Sequence, residues 1–125
     1  MSKKKILVVD DEIHIVQIVK FNLEKRGGHQ VITGKNGEQG YELAKQERPD
    51  LILSDVMMPK MSGFEFCDKV KNDEELKEIP FIILTAKGQE SDIQEGEKSG
   101  ADDYITKPFS PKALLNKVAE VLGDE

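Results

Sequence analysis

The sequence has little of what marks several large classes of protein. It holds one cysteine, Cys67, and no tryptophan among its 125 residues. A single thiol excludes an internal disulfide and any multi-cysteine metal site. Long hydrophobic runs are missing: the longest uncharged apolar stretch, Ile79 to Ala86, is far short of the ~20 residues that span a bilayer. Lys3, Lys4 and Lys5 precede Ile6–Val9, but that run is too short for a secretory signal and ends in two acids. Bases are the minority, 18 against 24 acids, and the net charge of −6 argues against direct binding to nucleic acid. No Ser/Gly/Pro-rich linker, low-complexity tract or internal repeat divides the chain. With 38% hydrophobic and 34% charged residues, the composition is that of a chain able to bury a core. It reads as one acidic, cytoplasmic domain over residues 1–125 with no membrane association.

Short apolar runs alternate with stretches of helical character. Ile6–Val9 is a first strand, solid rather than alternating, as in a strand covered on both faces. Glu12–Arg26 reads as a helix stopped by Gly27-Gly28, and Gln30–Thr33 as a second strand. A second helix, Gly37–Glu47, ends before Pro49; Leu51–Leu53 is a third buried strand. Gly63–Lys71 is helical with a polar continuation to Glu78, and Phe81–Leu84 is a fourth strand. A weakly apolar helix over Ser91–Ser99 precedes a fifth strand at Asp103–Thr106. In the last helix Leu114, Leu115, Val118, Val121 and Leu122 follow the helical stripe. Five strands, each followed by a helix, argue for an α/β fold: a doubly wound five-stranded parallel sheet flanked by five helices. Ligands of such open sheets bind beyond the carboxyl ends of the strands.

Those ends carry the chemistry. Strand one ends in Asp10-Asp11, strand three in Asp55, strand four in Thr85 and strand five in Lys107. Taken singly each is ordinary, since an acid pair after a strand usually caps a turn or helix. Taken together they put three carboxylates, a hydroxyl and an ammonium in one crevice. Three crowded acids repel one another unless a cation sits among them. Oxygen ligands suit a hard ion such as Mg²⁺, which keeps waters and leaves room for a phosphoryl group. The hydroxyl and the lysine can receive the remaining phosphoryl oxygens. The set points to phosphoryl transfer onto an aspartate.

The segments Val8-Val9-Asp10-Asp11-Glu12, Asp55-Val56-Met57-Met58-Pro59-Lys60-Met61-Ser62-Gly63, Leu84-Thr85-Ala86 and Gly100-Ala101-Asp102-Asp103-Tyr104-Ile105-Thr106-Lys107-Pro108-Phe109 resemble receiver domains of two-component response regulators, the CheY-like family. The resemblance covers essentially the whole chain and implies the flavodoxin-like strand order 2-1-3-4-5. It implies Asp55 as the phosphoacceptor, taking the group from a phosphohistidine of a sensor histidine kinase or phosphotransfer protein. Mg²⁺ or Mn²⁺ would be held by Asp11, Asp10, Asp55 and the backbone carbonyl of Met57. Lys107 would pair with the phosphoryl group, Thr85 would move to bond one of its oxygens, and Tyr104 would swing inward. A cis bond before Pro108 is expected on the same ground.

The first helix carries more apolar residues than one core stripe needs. Val16, Val19 and Leu23 can face the sheet, whereas His14, Ile15 and Ile18, with Pro108, are candidate kinase contacts by resemblance. His14 and His29 read as surface histidines, and Cys67 as a small hydrophobe. The Gly100–Phe109 segment is most like receivers that precede a DNA-binding domain and dimerise through the fourth helix, fifth strand and fifth helix. Those relatives usually carry an acid where this chain has Ala113 and basic residues past the last helix, where it has Gly123-Asp124-Glu125. The expectation is therefore a stand-alone, monomeric receiver, with at most a weak phosphorylation-dependent dimer, that signals by protein contact. The alternative is the receiver of a longer DNA-binding regulator. The chain is not expected to be a turnover enzyme beyond slow self-dephosphorylation, since apolar Met57 cannot position a water and Lys87 can shield the site. A phosphatase with an aspartyl nucleophile needs a second acid at the position of Met57. An FMN module needs a phosphate loop where Asp10-Asp11-Glu12 would repel phosphate.

Overall fold

Solid runs of branched apolar residues pair side by side because both of their faces can be covered. The structure, a computed structural model, describes residues 4–86, 94 and 98–123. Its strands are β1 (Lys5–Val9), β2 (Gln30–Gly34), β3 (Leu51–Asp55), β4 (Phe81–Ala86) and β5 (Asp103–Lys107). They form one sheet in the order β2-β1-β3-β4-β5, as expected, and every pairing is parallel. Among the described residues the α-helices are α1 (Ile13–Phe21), α2 (Gly37–Glu47), α3 (Gly63–Lys71) and α4 (Pro111–Leu122), the last being the fifth helix of the sequence reading. Of the helix expected over Ser91–Ser99, only Gln94, Lys98 and Ser99 are described, and all three are helical. The rest of it, with Lys87, lies outside the described residues.

Alternate residues of each strand serve opposite cores. Ile6, Val8, Leu51, Leu53, Ile82, Leu84 and Ile105 meet Val19, Leu23, Leu114 and Val118 on one face. Leu7, Val9, Ile52, Phe81 and Ile83 meet Ala44, Phe66, Cys67, Val70 and Leu76 on the other. Phe66 and Phe81 pack edge to face with centroids 5.1 Å apart. Full burial of each such side chain stabilises the fold by about 1.5–3 kcal/mol. Burial also pushes the Cys67 thiol up to about 12, so it behaves as the small hydrophobe expected. Asn36, Ser62 and Ser110 cap α2, α3 and α4 through their side chains, and Ser62 with Glu65 closes a full capping box.

Three local expectations are corrected. The first helix does not run unbroken to Arg26: it widens into a π-helical turn at Asn22–Arg26. Asn22 is buried there, and its Nδ2 donates to the Ile18 carbonyl at 2.8 Å, while Gly27 N–H reaches back five residues to the Asn22 carbonyl. His29 is buried rather than on the surface. The turn at Gly28, with φ of +71°, folds it against the start of β1, where its Nδ1 accepts the Lys4 N–H at 3.2 Å. The polar stretch to Glu78 does not continue α3. Asn72 turns its amide back onto Asp68, and Asp73 starts a separate turn by accepting the Glu75 N–H.

Asp73 also ties that turn to α2. It accepts the Tyr41 hydroxyl at 2.6 Å and the Lys45 ammonium at 3.0 Å, while Glu75 receives Lys45 and Arg48. The Tyr41 hydrogen bond, followed by that of Lys45, holds the Asp73 carboxyl down at about 2 against an ordinary 3.8. A lowered carboxyl stabilises the folded chain above its unfolded pKa and stops doing so as the pH falls through the folded value. The advantage of wild type over Asp73→Asn is therefore expected in full above about pH 4, shrinking toward pH 2. Thermal midpoints of both proteins measured across that range check it, and a gap independent of pH would contradict it.

Candidate functional site

Register brings the strand ends together. Val9 lies opposite Gly34 on one side and Ser54 on the other, so Asp10 and Asp55 leave the sheet as neighbours. Asp55 is level with Leu84, Thr85 with Thr106, and Ala86 with Lys107. Asp10, Asp11 and Asp55 each offer a carboxylate oxygen within 4.8 Å of the others'. Asp10 and Asp55 are buried and Asp11 is exposed. Beside Asp10 and Asp11 opens a cavity of about 350 Å³, bounded also by Ile13, Val16, Thr33 and Lys35.

Lys107 closes the cluster. Its ammonium lies 3.0 Å from Asp55 Oδ1, 3.4 Å from Asp10 Oδ2 and 3.8 Å from Glu12 Oε1. Burial alone would lower this lysine, but the hydrogen bond and charge of Asp55, with Asp10 behind, leave it above its ordinary value. Asp10 is pushed up to about 6, chiefly by burial. The Glu12 N–H, donated to its Oδ1 at 2.9 Å, opposes that rise, and the charge of Asp55 adds to it. Three carboxylates against one ammonium leave surplus negative charge in the crevice. An all-oxygen donor set with such a surplus fits a hard divalent cation.

The remaining candidates are spread more widely. Thr85 is buried at the end of β4, next to the cluster. Tyr104 is half-buried, its body packed on the core beneath α2 and α3. Met57 stands in solvent at 78% exposure. The bond before Pro108 is cis, as the resemblance implied, and Pro108 itself is exposed. On α1, His14 and Ile18 are exposed. Ile15 is not: it packs partly against the core, because it shares the helical stripe of Val19 and Leu23. Ile13 and Phe21, 66% and 57% exposed, take its place on the outer face. Their signal in the sequence was simply more apolar residues than one stripe can bury.

Sequence reasoning also missed Lys71. Its ammonium donates to the Ile79 carbonyl at 2.9 Å and to Asp102 Oδ2 at 2.8 Å, and the same oxygen accepts the Phe81 N–H. This clasp seats the starts of β4 and β5, and hence the level at which Thr85 and Lys107 emerge.

Comparison with known proteins agrees with this geometry. The family model described as response regulator receiver domain matches residues 6–119. The chain is 47% identical over 119 residues to the alkaline phosphatase synthesis transcriptional regulatory protein PhoP of Bacillus subtilis, covering 95% of this chain and 48% of that protein. It thus spans about half the length of the curated relatives it matches. The chemotaxis response regulator CheY4 of Vibrio cholerae superposes with a TM-score of 0.89 at 38% identity, covering 96% of this chain and 99% of the other. The receiver domain of the sensor histidine kinase PA1611 of Pseudomonas aeruginosa, solved with magnesium in its active-site cleft, superposes with a TM-score of 0.89 at 26% identity over 98% of this chain and all of the other. A match over nearly every residue, on the fold that gathers these strand ends, makes the chain a member of the response regulator receiver domain family of two-component systems.

Proposed function

We propose that this receiver takes a phosphoryl group onto Asp55 from a phosphohistidine of a sensor histidine kinase or phosphotransfer protein, with Mg²⁺ as cofactor. The observation that carries the reading is the Lys107 ammonium joined to Asp55 and Asp10 beside the exposed carboxylate of Asp11. A carboxylate oxygen of Asp55 attacks phosphorus as the bond to the donor nitrogen breaks, leaving an acyl phosphate. Asp10, Asp11 and Asp55, with the Met57 carbonyl, would hold the cation, which supplies charge neutralisation for the phosphoryl oxygens when bound. Lys107 keeps its proton and turns from the lost Asp55 charge to the new phosphoryl charge. Thr85 bonds a further oxygen, and Tyr104 carries the change to the β5–α4 side of the domain. Asp55 is thus a signalling phosphoacceptor with slow self-dephosphorylation rather than the centre of a turnover enzyme.

The first reading of the output is contact with a downstream protein. The second is control of transcription through a further domain, favoured because the matched relatives are transcriptional regulators about twice as long.

Intact mass after incubation with acetyl phosphate tests the reading. A gain of one phosphoryl group is expected with Mg²⁺, and none without it or in Asp55→Asn. A gain that persists in Asp55→Asn would assign the wrong nucleophile. Lys107→Ala is expected to bind Mg²⁺ as wild type does yet lose the amide shifts that follow phosphorylation. Unaltered shifts in that variant would refute the coupling role.

A third expectation concerns stability. A carboxyl raised in the folded state costs stability as the pH climbs from its unfolded value to its folded one. Without metal, Asp10→Asn is expected to be more stable than wild type above pH 6, by on the order of 2 kcal/mol, with little difference near pH 3. Added Mg²⁺ narrows the gap by favouring wild type. Denaturant unfolding at pH 3 and pH 7.5 decides it.

A further inference from the structure

Met57, two residues past Asp55, is a large apolar side chain that the core does not explain. It is the most exposed large apolar residue on the described surface, at 78%. Met58 and Met61, in the same loop, pack against the core beneath α2 and α3. The loop is pinned at both ends. Gly63 N–H donates to the Val56 carbonyl at 2.9 Å, and Gly63 lies so close to the Asp55 carbonyl that any Cβ there would collide. Between those ends Lys60 takes a φ of +70° and the Met61 N–H bonds the Pro59 carbonyl at 2.7 Å. A thioether two residues past Asp55 is therefore open to solvent on a loop anchored to Asp55 itself.

A thioether is a poor hydrogen-bond acceptor and leaves a water near Asp55 undirected, whereas a sulfoxide is polar and accepts strongly. We propose that Met57 is an oxidation site that sets the lifetime of the Asp55 acyl phosphate, with its sulfoxide shortening that lifetime. The inference rests on Asp55 being the phosphoacceptor. In the first step a sulfur lone pair takes one oxygen of a peroxide; the O–O bond breaks, the peroxide leaves as water, and sulfur is oxidised by two electrons. In the second, the sulfoxide oxygen accepts a hydrogen bond from a water that attacks phosphorus. The bond from phosphorus to Asp55 breaks, inorganic phosphate leaves, the carboxylate is restored and one proton passes to solvent. Cys67, buried and with its thiol pushed up to about 12, does not compete for the oxidant.

The test uses the full chain treated with dilute hydrogen peroxide and mapped by peptide mass, then phosphorylated by acetyl phosphate and Mg²⁺ and freed of donor. One oxygen is expected on Met57 before Met58 or Met61, with a phosphoryl half-life about fivefold shorter, the effect of one added hydrogen bond to the attacking water. Methionine sulfoxide reductase should restore the long half-life. Met57→Leu should show the same half-life before and after peroxide, and Met57→Gln a short one without it. Oxygen landing first on Met58 or Met61, or oxidised protein that keeps its phosphoryl group as long as untreated protein, would overturn the proposal. Untreated protein that gains no phosphoryl group would instead overturn the phosphoacceptor reading, and this inference with it.

Discussion

Two buried carboxylates cannot share the edge of a sheet unless a positive charge reaches both, and Lys107 is that charge. Its ammonium stands 3.0 Å from Asp55 and 3.4 Å from Asp10, which end strands that neighbour each other but not β5. β4 lies between, so only a side chain with lysine's reach spans the gap. An isolated buried carboxylate would take up a proton instead of keeping its charge. Asp10 goes part of the way, its carboxyl raised to about 6 even with the lysine nearby. The site is thus held short of neutrality. An all-oxygen cluster with that shortfall fits a hard divalent cation.

Other parts of the fold serve that arrangement. The sheet core of Ile, Leu and Val sets the strand level, and the Lys71–Asp102 clasp sets where β4 and β5 begin. On the α2 and α3 side, Tyr41, Lys45, Arg48, Asp73 and Glu75 form one connected polar network. Exposed pairs contribute little each, but a network sharing Asp73 and Glu75 holds two elements in fixed relation. The opposite side is different in kind. The outer face of α1 shows Ile13, Ile18 and Phe21 to solvent, an apolar surface that the described residues leave uncovered. Its first residue, Ile13, borders the cavity beside Asp10 and Asp11.

Much of this was legible before any coordinates. Solid apolar runs gave away doubly covered strands, and glycine, proline and serine punctuated the helices near their true ends. The site residues stood at strand ends, where side chains must project past the sheet. The failures differ in range. His29 was placed by residue type, yet it is governed by Lys4, 25 residues away at the start of β1. The other two are local: Asn22 turns its amide onto the Ile18 carbonyl and the helix widens there, and Ile15 falls on the stripe of Val19 and Leu23.

The amino-acid sequence by itself determined the alternation of strands and helices, the acidic balance, and which residues would end the strands. These follow from local rules, since periodicity, capping and turn preference act over a few residues. Tertiary structure alone decided that Lys107 touches both Asp55 and Asp10, that burial pushes the Asp10 carboxyl up, and that Met57 stands in solvent while Met58 and Met61 pack partly against the core. Those properties depend on strand register, on burial and on distances between segments up to 97 residues apart. Electrostatics falls off with distance in space, and chain order does not record that distance.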